Sequence, residues 1–154
     1  MKAETISELK KALVRLDQED LLNAVLRLAR FKVENKELLT YLLFMADDEQ
    51  GYANHLCDEI DELFIGVDRY MHKKTLRKII RWMNKCLRFS ANKETEIQVR
   101  IHFCETLNAS RIPYHKARVT LNMYNGQIKK IERAAEKLHE DLRSDIERQL
   151  KPLR

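Results

Sequence analysis

Apolar residues recur along this 154-residue chain at the spacing of α-helices. Steps of three and four residues place apolar side chains on one face of a helix. On this basis we expect six helices and a long C-terminal one, over about 5–16, 20–31, 36–45, 52–65, 69–89, 93–107 and 114–150. The first six pair in order into three antiparallel hairpins, within about 5–108. The pattern therefore predicts an all-α fold in a single domain, 1–154, arranged like HEAT repeats or as an irregular bundle.

Local signals refine these helices. Thr5 and Glu8 have the spacing of a capping box. Asn35 and Asn92 are the predicted caps of the third and sixth helices, and Gly66 is predicted to end the fourth in a left-handed conformation. The third helix contains LLTYLLFMA, which is apolar nearly all round and is typical of a central, buried helix.

The long C-terminal helix contains a heptad seam, in which apolar residues alternate by steps of three and four. Its members are Leu121, Tyr124, Ile128, Ile131, Ala135, Leu138 and Leu142. The register slips after Leu142. Two interpretations stay open for this seam: it packs on the preceding helices, or it pairs with a second copy of the chain.

Composition agrees with an all-α class. Gly and Pro number only 3 and 2, too few for a turn-rich β fold, and the charged content of 34% is that of a globular protein. Three cysteines, an odd number, favour reduced and mostly buried thiols. With no signal-peptide pattern and no apolar run long enough to span a membrane, we expect a cytoplasmic protein without a membrane span.

The helix predicted over 69–89 separates basic from apolar residues more sharply than any other. On a wheel of about 100° per residue, seven cations fall on one side and the apolar residues on the other. We call these seven the basic ridge: Lys73, Lys74, Arg77, Lys78, Arg81, Lys85 and Arg88. Tyr70 and Trp82 lie within or beside it, and four bases on later helices would extend it, namely Arg100, Arg111, Lys116 and Arg118.

Two interpretations of the basic ridge stay open. In the first, the ridge has no partner outside the chain: it is neutralised by the segment 47–62, which is acidic and free of Lys and Arg, or it is a solvated face. Alternatively, the cations bind an anionic partner such as nucleic acid, with the aromatic rings stacking on bases.

No catalytic, cofactor or metal site emerges from the sequence. The pairs His55/Cys57 and His102/Cys104 lie two residues apart, so their side chains diverge on a helix and neither pair can chelate one ion. The three glycines are isolated, so the chain lacks a phosphate-binding loop. We therefore predict no catalytic residue, no cofactor, no metal and no small-molecule substrate, and the chain is predicted not to be an enzyme.

The stretches ENKELLTYLLF and LNMYNGQIKKI, together with the hairpins, resemble an uncharacterised all-helical bacterial protein family with HEAT-like helical hairpins. That resemblance implies no known activity and no site residue. The first functional hypothesis is thus a non-enzymatic protein-interaction or scaffold protein, which binds a protein partner or another copy of itself. The second is a nucleic-acid-binding module that uses the basic ridge.

Overall fold

A computed structural model describes residues 2–67 and 72–154, and the regular structure in these two ranges is entirely helical. This confirms the predicted all-α class. The eight α-helices are α1 (Ile6–Leu13), α2 (Gln18–Phe31), α3 (Val33–Phe44), α4 (Glu49–Ile65), α5 (His72–Ser90), α6 (Lys93–Ala109), α7 (Arg118–Ala135) and α8 (Glu140–Leu150). Short 3-10 helices occupy Tyr114–Lys116 and Lys151–Leu153.

The chain divides into two compact units, residues 1–44 and residues 45–154. The single domain inferred from the sequence stays a prediction. The first unit holds α1, α2 and α3, and the second holds α4 to α8.

In the first unit, local capping fixes where the helices begin. The Thr5 hydroxyl accepts a hydrogen bond from the Glu8 N–H, and the Glu8 carboxylate accepts one from the Thr5 N–H at 2.9 Å, which confirms the predicted capping box. Asn35 does not cap α3, because that helix begins two residues earlier. Its amide instead donates to the Leu28 carbonyl at 2.8 Å and ties α3 to α2, against which α3 packs.

The prediction that α3 is a central, buried helix is wrong. Only Tyr41 of its twelve residues is buried, whereas Leu43 and Phe44 are 63% and 79% exposed. Within this unit α2 packs along α3, but α1 is only eight residues long and there is no second layer of helices. An apolar helix can be enclosed only where neighbours surround it.

In the second unit the central helix is α6. It packs against α4, α5 and α7, and it buries eight side chains, more than any other described helix. These are Thr95, Ile97, Val99, Arg100, Ile101, Phe103, Cys104 and Leu107. Asn92 caps the helix, as predicted, by accepting hydrogen bonds from the Glu94 and Thr95 N–H groups at 2.9 and 3.1 Å.

The three predicted hairpins are not confirmed as a specific arrangement. The most extensive helix pairs are α2 with α3, α4 with α6, and α6 with α7, whereas α5 contacts α6 over a smaller area. Because α6 takes α4 and α7 as its main neighbours, the second unit is organised around one helix and not around successive pairs.

The single helix predicted over about 114–150 is two helices. After α7 ends at Ala135, bonds from the Lys137 and Leu138 N–H groups to carbonyls three residues earlier tighten the last turn, and His139 is extended. The chain then turns into α8, which packs on α7. This reversal buries Ile146 and Leu150, which a straight helix would carry past the core.

Candidate functional site

The structure places the cations of the basic ridge on the solvent side of α5. Six of the seven are exposed, and Lys85 is half-buried. The opposite face of α5 contributes Leu76, Ile79, Met83, Cys86 and Leu87 to the core. From Lys73 to Arg88 the ridge extends roughly 22 Å along the helix axis, at 1.5 Å per residue. Tyr70 lies outside the described residues, and Trp82 is half-buried at the border of the ridge.

Five of the ridge cations form no ion pair with any carboxylate in ranges 2–67 and 72–154. They are Lys73, Lys74, Arg77, Lys78 and Arg81. Lys85 and Arg88, in contrast, each have an interaction partner. The end of α5 nearer its N-terminus therefore carries uncompensated positive charge, which attracts anions over about one Debye length, roughly 8–10 Å.

Carboxylates of the acidic segment have other partners. Asp61 on α4 accepts a hydrogen bond from Thr106 on α6 at 3.1 Å and bonds to His102 Nε2 at 2.8 Å. Asp48 caps α4 by accepting from the Gly51 N–H, and Glu49 accepts from the Thr95 hydroxyl at 2.7 Å. None of these contacts involves the five unpaired cations, so the acidic segment 47–62 does not neutralise that part of the ridge.

Arg100 does not extend the ridge. Its side chain is buried, donates to the Glu96 carboxylate through Nε and Nη2 at 3.1 and 2.9 Å, and donates to the Gln127 carbonyl through Nη1 at 2.6 Å. Burial lowers the pKa of Arg100, and the hydrogen bonds and charge of Glu96 oppose that change. The sequence shows the Glu96–Arg100 spacing of four residues, but it does not reveal that α7 brings Gln127 to the same place.

Cys57, His102 and Asp61 together have the composition of a cysteine-based catalytic triad, and they gather between α4 and α6. Desolvation, followed by the charges of Asp61, Asp58 and Glu105, raises the pKa of Cys57 to about 11. A nucleophilic cysteine needs a lowered pKa, because the thiolate is the reactive species. This thiol is protonated at neutral pH, so the arrangement does not activate it.

The three cysteines are free thiols, of which Cys86 and Cys104 are buried and Cys57 is half-buried. Across residues 2–67 and 72–154, no three His, Cys, Asp or Glu side chains are placed to hold a metal ion together. His55 is exposed, and His102 is occupied by Asp61.

A second surface, which the sequence did not predict, lies on residues 1–44. Of the 18 large apolar side chains that are exposed in the described residues, 15 belong to this unit. We call them the N-terminal apolar surface: Ile6, Leu9, Leu13, Val14, Leu16, Leu21, Leu22, Leu26, Leu28, Phe31, Val33, Leu38, Leu42, Leu43 and Phe44. Two open apolar depressions lie in it, one of about 480 Å³ beside α1 and one of about 250 Å³ between α2 and α3.

Comparison of the chain with family models, with curated proteins and with solved structures finds no match. In the part of the chain that the structure describes, no helix combines the length and the apolar character needed to cross a bilayer.

Proposed function

We propose that this chain is a non-enzymatic helical protein that acts by protein–protein interaction through its N-terminal apolar surface. The observation that supports the proposal is the concentration of 15 exposed large apolar side chains in residues 1–44. Large exposed apolar patches mark interaction sites in proteins.

The first unit is too small to bury these apolar side chains in a core of its own. A segment of 44 residues with one buried side chain has almost no core of its own, and domains of that size generally need a partner, a metal or disulfides. Burying one large apolar side chain contributes about 1.5–3 kcal/mol relative to leaving it exposed. Covering even a few of these 15 residues would therefore stabilise the unit substantially.

The occupant that we propose for the surface is a second copy of the chain. Residues 1–44 carry eight Lys or Arg and seven Asp or Glu, so the charge of this unit adds little repulsion between two copies at the surface itself. The same unit supplies depressions and protruding rings, since Phe31 and Phe44 are 76% and 79% exposed. A two-fold interface requires one surface to be complementary to itself, and a surface that has both features meets that requirement.

Light scattering at several protein concentrations tests this proposal. We expect a particle of twice the 18.4 kDa chain mass, which Leu42→Glu converts to the monomer because it places a charge beside the smaller depression. The matched control is Ile65→Glu on α4, where the side chain is 85% exposed and lies outside the surface, and it should leave the dimer intact. A wild-type monomer at every concentration would overturn self-association, and a dimer that survives Leu42→Glu would overturn its location on the N-terminal apolar surface.

A second proposal is that the basic ridge binds nucleic acid through phosphates, independently of the N-terminal apolar surface. It is supported by the five exposed cations that lack a carboxylate partner among the described residues. The five cations extend roughly 12 Å along the helix axis, long enough to face about three phosphates of one strand, which repeat every 3.4 Å or so along a duplex.

The test is the salt dependence of binding to duplex DNA and to single-stranded RNA. Replacing Lys74, Lys78 and Arg81 by Gln should reduce the slope of log affinity against log salt by about 2–3, because each phosphate contact contributes slightly less than one. The matched control replaces three exposed cations of similar spacing on and after α7, Lys129, Arg133 and Lys137, and should change the slope little. Equal slopes for the two triple variants would rule out the ridge as the contact surface.

A further inference from the structure

An open cleft of about 720 Å³ lies in the second unit between α4, α6 and α8, and neither the proposed self-association nor the basic ridge involves it. Its floor is apolar. Ile97 and Ile101 stand one turn apart on α6, and Leu142 and Ile146 stand one turn apart on α8. These four side chains form two apolar rows at four-residue spacing, in which Leu142 is exposed and the three isoleucines are buried.

The rim of the cleft is acidic. Asp58, Glu94, Glu105 and Asp145 line it, and no Lys or Arg does, although the whole chain has a net charge of +5. Asp145 pairs with Arg148, whereas the other three carboxylates form no ion pair within the described ranges. Negative charge is thus concentrated around an apolar floor.

Three of the other polar side chains of the cleft, Asn54, Gln98 and His102, are hydrogen-bonded to their neighbours. Gln98 donates to the Asn54 side-chain oxygen at 3.1 Å, and His102 bonds to Asp61 at 2.8 Å. The floor has one accessible apolar side chain, Leu142, which is 41% exposed. Because its polar walls are occupied, the cleft offers a partner an apolar contact at Leu142 and carboxylates on either side.

From this combination we infer that the cleft binds a basic, amphipathic helical segment of a partner protein. Such a helix presents apolar side chains at steps of three and four residues to the floor. Its Lys and Arg side chains can lay their apolar stems along the walls while their charged heads reach the rim. The inference concerns residues 54–149 only, so it can fail while self-association through residues 1–44 holds, and the reverse.

The probe is a labelled helical peptide made of leucine and lysine, roughly four turns long with leucines on one face, and its binding is followed by fluorescence anisotropy. The net charge of the protein repels this peptide, so binding at low salt requires a local acidic site. The double variant Asp58→Asn, Glu105→Gln should weaken binding about fivefold or more. The control pair Glu136→Gln, Glu140→Gln, two exposed acids outside the cleft, should leave the affinity within about twofold.

A second variant tests the floor. Leu142→Lys places a like charge under the peptide and should weaken binding about tenfold or more, while Val119→Lys, at 40% exposure on α7, is the matched control. Bound peptide should also slow alkylation of Cys57, which lines the cleft. The absence of binding at low salt would overturn the inference, as would binding that neither cleft variant weakens. If Leu142→Lys fails to fold, the carboxylate pair and the Cys57 labelling decide.

Discussion

Residues 1–44 and residues 45–154 are both built of helices with apolar stripes, but the large apolar side chains are mostly exposed in the first unit and mostly buried in the second. In the first unit one side chain is buried, whereas in the second Phe103, Ile60, Leu76 and Met83 are among many that are completely enclosed. The difference follows from neighbours and not from sequence pattern, because α6 is surrounded by α4, α5 and α7 while α3 packs mainly on α2. Periodicity therefore predicts a helix without predicting what covers it.

We expect the largest difference in unfolding free energy between the two units when one phenylalanine ring is removed from each. Phe103→Ala should lower the free energy of unfolding by about 3–5 kcal/mol, because it leaves a cavity at the centre of the core. Phe44→Ala in the Leu42→Glu monomer, where the ring is 79% exposed, should change it by no more than about 0.5 kcal/mol. Urea denaturation followed by the fluorescence of Trp82, the single tryptophan, measures the first effect, and amide hydrogen exchange over residues 33–44 measures the second.

In the wild-type protein the loss from Phe44→Ala should be larger, because the proposed dimer covers Phe44 at the N-terminal apolar surface. Equally small losses in the wild-type and Leu42→Glu backgrounds would contradict that dimer. In the monomer the effect of Phe44→Ala should fall back to about 0.5 kcal/mol or less.

We expect an effect of intermediate size on the free energy of unfolding when the network of Glu96 and Arg100 in the second unit is disrupted. Glu96→Gln removes the charge that compensates buried Arg100 and should cost about 1–3 kcal/mol at neutral pH. The exposed residue Glu136 offers the matched control, since Glu136→Gln should be nearly neutral. A loss equal to that of the control would contradict the assignment of Glu96 as the partner of Arg100.

The same network has a pH signature. Burial raises the pKa of Glu96, but hydrogen bonds from Lys93 and Arg100 and the charges of those residues outweigh it, so the pKa is lowered overall. A folded-state pKa below the unfolded value of about 4.3 stabilises the protein above that pH, and the stabilisation is lost as pH falls through the folded-state pKa. Glu96→Gln should therefore flatten the acid side of the stability profile, as urea unfolding from about pH 6 to pH 3 would show.

Much of the helical framework could be predicted from sequence, because capping and periodicity are local. Thr5 with Glu8 and Asn92 mark helix starts correctly. The conformation at helix ends is harder to predict from the sequence. Gly66 ends α4 with φ −106°, outside the left-handed region, whereas Ala91, after α5, has φ 54°. A glycine permits a left-handed turn without requiring one, and tertiary packing can impose it on alanine.

The surfaces were predictable only in part. The division of α5 into a buried and an exposed face follows from helical spacing alone, so the exposed positions of Lys73 and Arg81 could be anticipated. The burial of Arg100 and the exposure of α3 depend on which helices become neighbours, and a single sequence does not contain that information. The cleft likewise combines α4, α6 and α8, which are distant in the chain.

We expect the smallest difference between the two units when one helix cap is removed from each, Asn92 from the second unit and Asp17 from the first. Asn92→Ala removes two hydrogen bonds at the start of the central helix α6 and should lower the unfolding free energy by about 1 kcal/mol, as detected by Trp82. Asp17→Ala removes the corresponding bond to the Asp20 N–H, 2.8 Å long, at the start of α2. Because α2 has little core to transmit the loss, its effect should be faster amide hydrogen exchange over residues 18–31, with the Trp82 transition unchanged. A shift of that transition by Asp17→Ala would mean that the two units unfold together. The units would then differ in how much apolar surface they expose, and not in their stability.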